Sequence, residues 1–378
     1  MKVLILNEYN DKTPFIKELA ENLVDRDFEI YILDLKQHRL VTYSQNEPKP
    51  SIESTTGNIL IKKLIRFRAI NILFKLIYYN WIYELPEYTH VSYHYVGSIY
   101  LFFHGKFSRS GKIKSSAVLW GSDFYRANAF DTALKRRLYQ KVDFIGIGNP
   151  IMKEHFLKQN PEVESKVRRV VFGIDKLTKI QQLLSTCSRS ELMKKWDVPE
   201  RKIIITIGYN GRRLQQHLEV LSSLEKALEK LEDTAHILIP YGNLGTDQYK
   251  RELTHKLEEM SLDYTIIDWF SSDQEVAEYR IISDVAINAQ TTDAMSASIQ
   301  EHLYAGSVVL TGSWLPYDYF RNLGLVFSSF EWSTVSEKFI AIVESLKRQK
   351  EAVQGNKEII WSHSAWPATI KDWVNLYK

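Results

Sequence analysis

The chain has 378 residues, 44% of them hydrophobic, with 49 basic against 46 acidic side chains and a net charge of +3. That length holds two domains of ordinary size with a core for each, and the near balance of charge excludes a nucleic-acid footprint spread over the whole molecule. The single cysteine, Cys187, excludes an internal disulfide, and no metal-type Cys/His spacing occurs, a pattern expected of a protein in a reducing cytoplasm.

Residues 2–6 form an apolar run after one lysine, without the hydrophobic stretch and cleavage site of a secretory signal, and are expected to be a first β-strand. Residues 15–23 have helical spacing and 28–33 are apolar again, a β-α-β opening that predicts a parallel sheet with helices on its faces. Asp25 and Asp27 have the D-x-D spacing with which two carboxylates hold a cation, but they fall in the turn before a strand and are expected to be solvated. Residues 38–56 are polar with two prolines and read as a loop.

The stretch 59–81, ILIKKLIRFRAINILFKLIYYNW, carries Lys62, Lys63, Arg66, Arg68 and Lys75 and no acid. Such a helix either lies on an anionic membrane surface with its cations at the headgroups or is an ordinary surface helix with a wide buried face. No window reaches the roughly 20 uninterrupted apolar residues of a membrane span, so a cytoplasmic protein is expected, at most peripheral on the inner face of the cell membrane.

Residues 90–103 pass from strand to helix through His94, and the strand 116–119 ends in Trp120-Gly121-Ser122-Asp123. In an open parallel sheet the ligand crevice lies beyond the carboxyl ends of the strands. His94 and Asp123 both occupy such ends, as structural hydrogen-bonding residues or as catalytic bases. Lys135, Arg136 and Arg137 on the helix around 133–139 read as a solvated face. A strand at 144–148, a helix from 150 and the segment VRRVVFGID at 167–175 complete a first domain.

After a polar helical passage the second half opens on KIIITI at 202–207, too apolar for anything but a central strand, and runs into Gly208-Tyr209-Asn210-Gly211-Arg212-Arg213. Glycines at a strand-to-helix turn let backbone approach a phosphate, and arginine adds a planar charged donor. Gly208, Asn210, Arg212, Arg213 and His217, one turn into the next helix, are therefore candidate anion-binding residues. Strand–loop–helix units follow: a strand at 235–240 ending in Tyr241-Gly242, a helix at 249–260, a strand at 264–268, a helix at 275–282 and a strand from 285.

The stretch AINAQTTDAMSASIQEHLYAGSVVL, residues 286–310, reads as strand, loop, helix, turn, strand. Small residues, Ser296, Ala297 and Ser298, begin its helix, and the open first-turn N–H groups with the positive end of the helix dipole make a phosphate site. Asp293 and Glu301 frame it. A helix at 334–349 and a terminal helical segment at 361–377, with Trp366 and Trp373 supplying large apolar area, end the chain.

Two α/β domains in tandem, the glycine turn opening the second and the D-x7-E stretch from Asp293 to Glu301 resemble the GT-B glycosyltransferases over nearly the whole chain. The resemblance implies an α/β fold of two Rossmann-like domains with a cleft between them and a C-terminal helix crossing the junction. The expected divisions are an acceptor-binding domain at 1–175, a linker at 176–200, a nucleotide-sugar-binding domain at 201–355 and the junction helix at 356–378. In the retaining branch the stretch is E-x7-E, which implies that Glu301 holds the nucleotide ribose and that Asp293, a shorter side chain than the usual glutamate, lies near the transferred sugar. Val171-Phe172-Gly173-Ile174-Asp175 looks like the glycine-Ile/Val-Asp signature that closes the first domain there.

A closer resemblance is to the bacterial TDP-N-acetylfucosamine:lipid II N-acetylfucosaminyltransferases. It rests on a histidine upstream of Trp120-Gly121-Ser122-Asp123-Phe124-Tyr125, on the Gly208-Tyr209-Asn210-Gly211 turn with Arg213 and His217, and on Pro240-Tyr241-Gly242 before Tyr249. In many retaining relatives a histidine stands at the position resembling Trp120, a contact that His94 or Asp123 would take over here. The implied activity is metal-independent transfer of a hexosyl or N-acetylhexosaminyl group from a UDP- or TDP-sugar to a glycan or lipid-linked acceptor in cell-surface polysaccharide synthesis. Asp293, His94 and Asp123 are then the expected catalytic set. The nucleotide site comprises Gly208, Asn210, Arg212, Arg213, His217, Tyr241, Ser296, Ala297, Ser298 and Glu301. No cofactor besides the donor and no metal is expected. A GT-B epimerase acting on a nucleotide sugar, or a catalytically inactive partner of a transferase, would carry the same diphosphate loop.

Overall fold

The structure, a computed structural model, describes residues 1–7, 15–47, 49–55, 68–200, 202–269, 272–293 and 296–378. The chain divides into two compact units, one of Met1–Gly173 with Trp366–Lys378, the other of Ile174–Ala365.

The first unit is built on eight strands: β1 (Lys2–Asn7), β2 (Glu29–Asp34), β3 (Arg39–Tyr43), β4 (Ser51–Ser54), β5 (His90–His94), β6 (Lys114–Leu119), β7 (Phe144–Ile147) and β8 (Val167–Arg169). Their order is β4-β3-β2-β1-β5-β6-β7-β8. The pairs from β2 through β1 to β8 are parallel, while β3 and β4 add antiparallel to one edge. Residues 38–56 thus contain a pair of edge strands where the polar composition predicted a loop. An edge pair with solvated faces needs few apolar residues, and only Leu40 and Val41 of β3 are buried.

Of the basic stretch 59–81, residues 59–67 lie outside the described residues. From there a helix spans Arg68–Ile77, followed by a wider helical turn at Tyr78–Ile82. Tyr79 anchors this segment in the core, and its hydroxyl bonds His38 Nδ1 at 3.1 Å and Thr55 Oγ1 at 2.9 Å. Among the described residues no helix is long and apolar enough to cross a membrane.

The terminal segment 361–377 is not one helix. Asn356–Ser364 ends at the extended residue Ala365, and the last helix, Trp366–Tyr377, packs on the first unit with the helix Phe15–Val24. Trp366, Ile370, Trp373, Leu376 and Tyr377 are buried there against β1 and β2. Trp366 Nε1 donates to Glu18 Oε2 at 3.3 Å and Trp373 Nε1 to the Val171 carbonyl at 2.9 Å, so both indole N–H groups are satisfied as their rings leave water. Gly173 makes room for this helix: a Cβ there would come within 2.3 Å of the Trp366 ring.

The second unit carries six parallel strands: β9 (Ile203–Ile207), β10 (Ala235–Pro240), β11 (Tyr264–Ile267), β12 (Val285–Asn288), β13 (Val308–Gly312) and β14 (Ser328–Phe330). Their order is β11-β10-β9-β12-β13-β14. Going outward from β9 the strands run back through β10 to β11, and from β12 forward to β14. The topological switch therefore lies between β9 and β12, the place in an open parallel sheet where ligands bind. Apolar layers cover both faces of the sheet, and the helices Asp175–Thr186 and Arg189–Lys195 contribute to one of them.

Candidate functional site

The loop after β9 is shaped by its first residue. Gly208 has φ +67°, and a Cβ there would stand 2.6 Å from His217 Nε2, so a glycine is required both by the backbone and by the ring beneath it. The loop continues through an Asn210 side chain whose Oδ1 accepts the Arg212 N–H at 3.0 Å, and the Gly211 N–H bonds the Tyr241 carbonyl at 2.5 Å. Gln216, left-handed at φ +56°, ends the loop, and His217, expected one turn into the next helix, is the first residue of the helix His217–Glu229.

The loop after β12 is stitched to it. The Gly208 N–H bonds the Ile287 carbonyl at 2.9 Å and the Thr291 N–H bonds the Leu214 carbonyl at 3.0 Å. Gln290 Oε1 accepts the Tyr209 hydroxyl and Gln215 Nε2, and Gln216 Nε2 donates to the Ala289 carbonyl. Two loops meeting across a switch point thus form one rigid rim. Gly208, Asn210 and Arg212 belong to the first of these loops, and Ser296 to Ser298 begin the helix that follows the second.

That helix is Ala297–Ala305. Its cap residue, Ser296, makes no side-chain cap bond, and the buried Ser298 Oγ has no hydrogen-bond partner among the described residues. The first-turn N–H groups have no acceptor inside the helix either. A buried unsatisfied hydroxyl costs about 1–3 kcal/mol, so the arrangement calls for an acceptor from outside. The positive end of the helix dipole selects an anion.

The two arginines of the loop separate. Arg213 is taken up by Glu252 at 2.5 Å and lies over the Tyr249 ring at 4.5 Å. Arg212 is exposed and makes no ion pair among the described residues, leaving its guanidinium for a ligand. His217 is fully buried, with Nδ1 3.2 Å from the Tyr249 hydroxyl and Nε2 unpartnered among the described residues under Gly208. Burial holds its pKa down at about 4, so the ring is neutral. Tyr241 is buried too, its hydroxyl given to the Thr246 carbonyl at 2.6 Å, and it shapes the loop rather than pointing out of it.

The carboxylates have partners. Glu301 is buried and accepts Arg280 Nε at 3.0 Å on Oε2, while Arg280 also contacts His302 Nε2 at 2.8 Å and lies over Tyr279. Asp293 accepts the Tyr317 hydroxyl at 2.7 Å on Oδ2, and Asn288 Nδ2 donates to the same hydroxyl at 3.3 Å. Burial and the nearby Asp293 charge push the Tyr317 hydroxyl well up, keeping it a donor. Arg280, Tyr317, Tyr209 and Gln290 were not singled out from sequence. Tyr209 and Gln290 lie within the two stretches that the sequence marks but carry no role there, while Arg280, on the helix Asp273–Ile282, and Tyr317 belong to no spaced motif. Trp314 was missed as well: it donates from Nε1 to the Gln290 carbonyl at 2.9 Å and stacks on Trp332.

In the first unit, His94 and Asp123 both sit at the carboxyl edge of β5 and β6. His94 has no exposed surface. Its ring is stacked on Trp373, with Nε2 3.1 Å from the Tyr377 hydroxyl, and burial holds its pKa at about 3. Enclosed in this way, the imidazole packs between Trp373 and Tyr377. Asp123 is fixed by three main-chain donors, Val96 N at 2.8 Å and the N–H groups of Trp120 and Gly121 at 2.9 Å each. Burial raises its pKa while these bonds oppose the rise. The carboxylate clamps the loops after β5 and β6 together and lines a cavity of about 630 Å³.

No family model and no curated protein matches the chain, but solved structures do. A glycosyltransferase from Rickettsia africae matches with TM-score 0.71 at 14% identity, covering 100% of this chain and 97% of that one. Anabaena HepE, solved in complex with UDP-glucose, matches with TM-score 0.63 at 12% identity over 99% and 98%. A UDP-forming trehalose-phosphate synthase from Burkholderia xenovorans matches with TM-score 0.68 at 10% identity over 100% and 98%. Likeness over whole chains establishes the α/β, GT-B fold; identities this low carry the fold and not the substrate.

Proposed function

We propose that the chain is a glycosyltransferase that takes a sugar from a nucleotide diphosphate, UDP or TDP, and passes it to a glycan or lipid-linked acceptor in the synthesis of a surface glycan. The observation that carries this is the open start of helix Ala297–Ala305 at the β9/β12 switch, where the Ser298 hydroxyl has no partner among the described residues, together with the loop after β9, whose Arg212 makes no ion pair among them. That several solved structures of the same fold are complexes with UDP or UDP-glucose supports a uridine donor.

Glycosyl transfer leaves positive charge at the anomeric carbon and negative charge on the departing diphosphate. In this reading Arg212 and the N–H groups of Ala297 and Ser298 receive the developing negative charge, with no reorganisation required at the moment of reaction. Gly208 lets the diphosphate approach the backbone, and Asn210 and His217 hold the loop in that shape. Glu301 faces the ribose with the carboxylate oxygen that Arg280 does not occupy. Asp293, steadied by Tyr317, stands toward the sugar. The first unit binds the acceptor, with Asp123 shaping its pocket and His94 positioning the edge of the sheet. No step in this scheme is routed through a metal.

Calorimetric titration of UDP, TDP and UDP-glucose into the intact protein tests the reading. Binding of a nucleoside diphosphate that weakens about tenfold in Arg212→Ala and in Ser298→Val is expected. Failure of all three to bind overturns it.

A further inference from the structure

Ile70, Ile72, Leu73, Ile77, Trp81 and Ile82 are all exposed, Trp81 at 75%. The inner side of the helix Arg68–Ile77 and of the turn Tyr78–Ile82 is accounted for: Phe74 meets His38 edge-on and stacks on Tyr78, and Tyr79 is buried in the core. Ile70, Leu73 and Ile77 recur at helical spacing on the other side, and Trp81 stands four residues further on. A helix apolar all round belongs in a core or in lipid, and only one side of this one lies in the core. Of the two readings open to the stretch 59–81, the ordinary surface helix with a wide buried face does not account for that outer row.

Apolar surface continues on the neighbouring elements. The helix Tyr100–Phe107 packs on both the turn Tyr78–Ile82 and the helix Ala129–Lys141. Phe102 on the first of these helices and Phe130 on the second are exposed, Phe130 at 73%. Large apolar side chains collected on adjacent surface elements mark an interaction site.

Charge selects the partner. The stretch 59–81 contains basic residues and no acid, and Glu84, the first acid after it, stands near Lys106. Ile72 lines the same cavity as Arg126, where the acids Asp123 and Asp131 face Lys135. Arg126, like Arg137 on the helix Ala129–Lys141, is exposed and makes no ion pair among the described residues. A second copy of the chain would set like charges face to face, whereas an anionic surface complements them.

We infer that this face of the first unit docks on an anionic lipid bilayer. Ile70, Leu73, Ile77 and Trp81, with Phe102 and Phe130, enter the boundary between headgroups and acyl chains, and Arg126 and Arg137 meet the headgroup phosphates. Tryptophan suits that boundary, since its ring is apolar and its N–H seeks a polar partner. Among the described residues no helix is long and apolar enough to cross a membrane, so the segment lies along the surface. The inference goes beyond the transferase reading and does not rest on it.

Flotation of the intact protein with vesicles of phosphatidylcholine alone, and of phosphatidylcholine mixed with phosphatidylglycerol, tests it. Retention on the mixed vesicles about tenfold or more stronger than on phosphatidylcholine alone, and reduced by salt, is expected. Leu73→Ser combined with Trp81→Ser should weaken that retention about tenfold, and Arg126→Gln combined with Arg137→Gln should weaken it on the mixed vesicles only. All four side chains are exposed, so the melting temperature of each double variant should equal that of the wild type. Equal retention on the two kinds of vesicle, no retention on either, or retention unchanged in the Leu73→Ser, Trp81→Ser protein overturns the docking surface. Dimerisation in ultracentrifugation that this variant abolishes, without retention on vesicles, gives the face to a second copy and overturns it as well. Titration of UDP in parallel keeps the two readings apart: a protein that floats with the mixed vesicles without binding UDP loses the donor reading alone, whereas one that binds UDP and does not float loses this one.

Discussion

Arg280 gives its Nε hydrogen to Glu301 Oε2 at 3.0 Å, with both side chains about 95% buried. The two residues come from neighbouring helices, Asp273–Ile282 and Ala297–Ala305, so the pair fixes where the carboxylate on the second helix points. Removing one partner of a buried pair strands the other charge, at a cost of about 3–5 kcal/mol. Arg280→Met is therefore expected to lower stability by that much in urea denaturation, and Arg280→Met combined with Glu301→Leu to recover most of it. Glu301→Gln, which keeps the shape, is expected to weaken UDP binding about tenfold and 2′-deoxy-UDP binding much less. Equal losses for the two nucleotides would remove the ribose from the role of Glu301.

The arginines of the loop after β9 are expected to behave differently although they are adjacent. Arg212→Ala should weaken UDP binding about tenfold with an unchanged melting temperature, because the side chain makes no ion pair among the described residues. Arg213→Ala removes an exposed ion pair with Glu252 and its stacking on Tyr249, and should leave UDP affinity within about threefold of the wild type. Calorimetry on the two variants separates them, and a reversed order would place the diphosphate on the Arg213 side.

Where the candidate site was legible in sequence, the reason was local. A glycine that must adopt φ > 0, a helix that begins with small residues and a strand too apolar to lie at an edge are each written within ten residues, and together they marked both loops of the β9/β12 switch. What was not legible depends on distance. His94 reads as a strand-end residue, structural or catalytic, and its partner Tyr377 stands 283 residues later. Glu301 reads as a free carboxylate because Arg280 stands in another helix with no fixed spacing. Edge strands β3 and β4 were hidden for a different reason, since solvated faces erase the alternation that identifies a strand.

Gly208→Ala tests how tightly the loop is built. The substitution forces an L side chain into a left-handed backbone and drives its Cβ to 2.6 Å from His217 Nε2. A loss of about 1–3 kcal/mol is expected from the backbone alone. If the buried ring adds to it, Gly208→Ala with His217→Ala will be less destabilised than the sum of the single changes, a coupling that a double-mutant cycle reads directly. Additive losses would show that the ring yields freely.

Acid should destabilise the first unit in a defined window. Burial holds His94 at about 3 and His90 at about 4, against an ordinary value near 6.5. Both are neutral when folded and become protonated in the unfolded chain as the pH drops below about 6.5, so the unfolded state binds more protons throughout that interval. Stability therefore rises with pH from about 4 to 6.5, is complete above that window, and falls by about 1.4 kcal/mol per pH unit for each such histidine as the pH is lowered. Denaturation by urea at pH 7, 6 and 5 measures the slope. His94→Gln, which keeps a polar group near Tyr377 and cannot titrate, should reduce the slope by the contribution of one histidine. An unchanged slope would mean that the His94 ring takes up a proton without leaving its place between Trp373 and Tyr377.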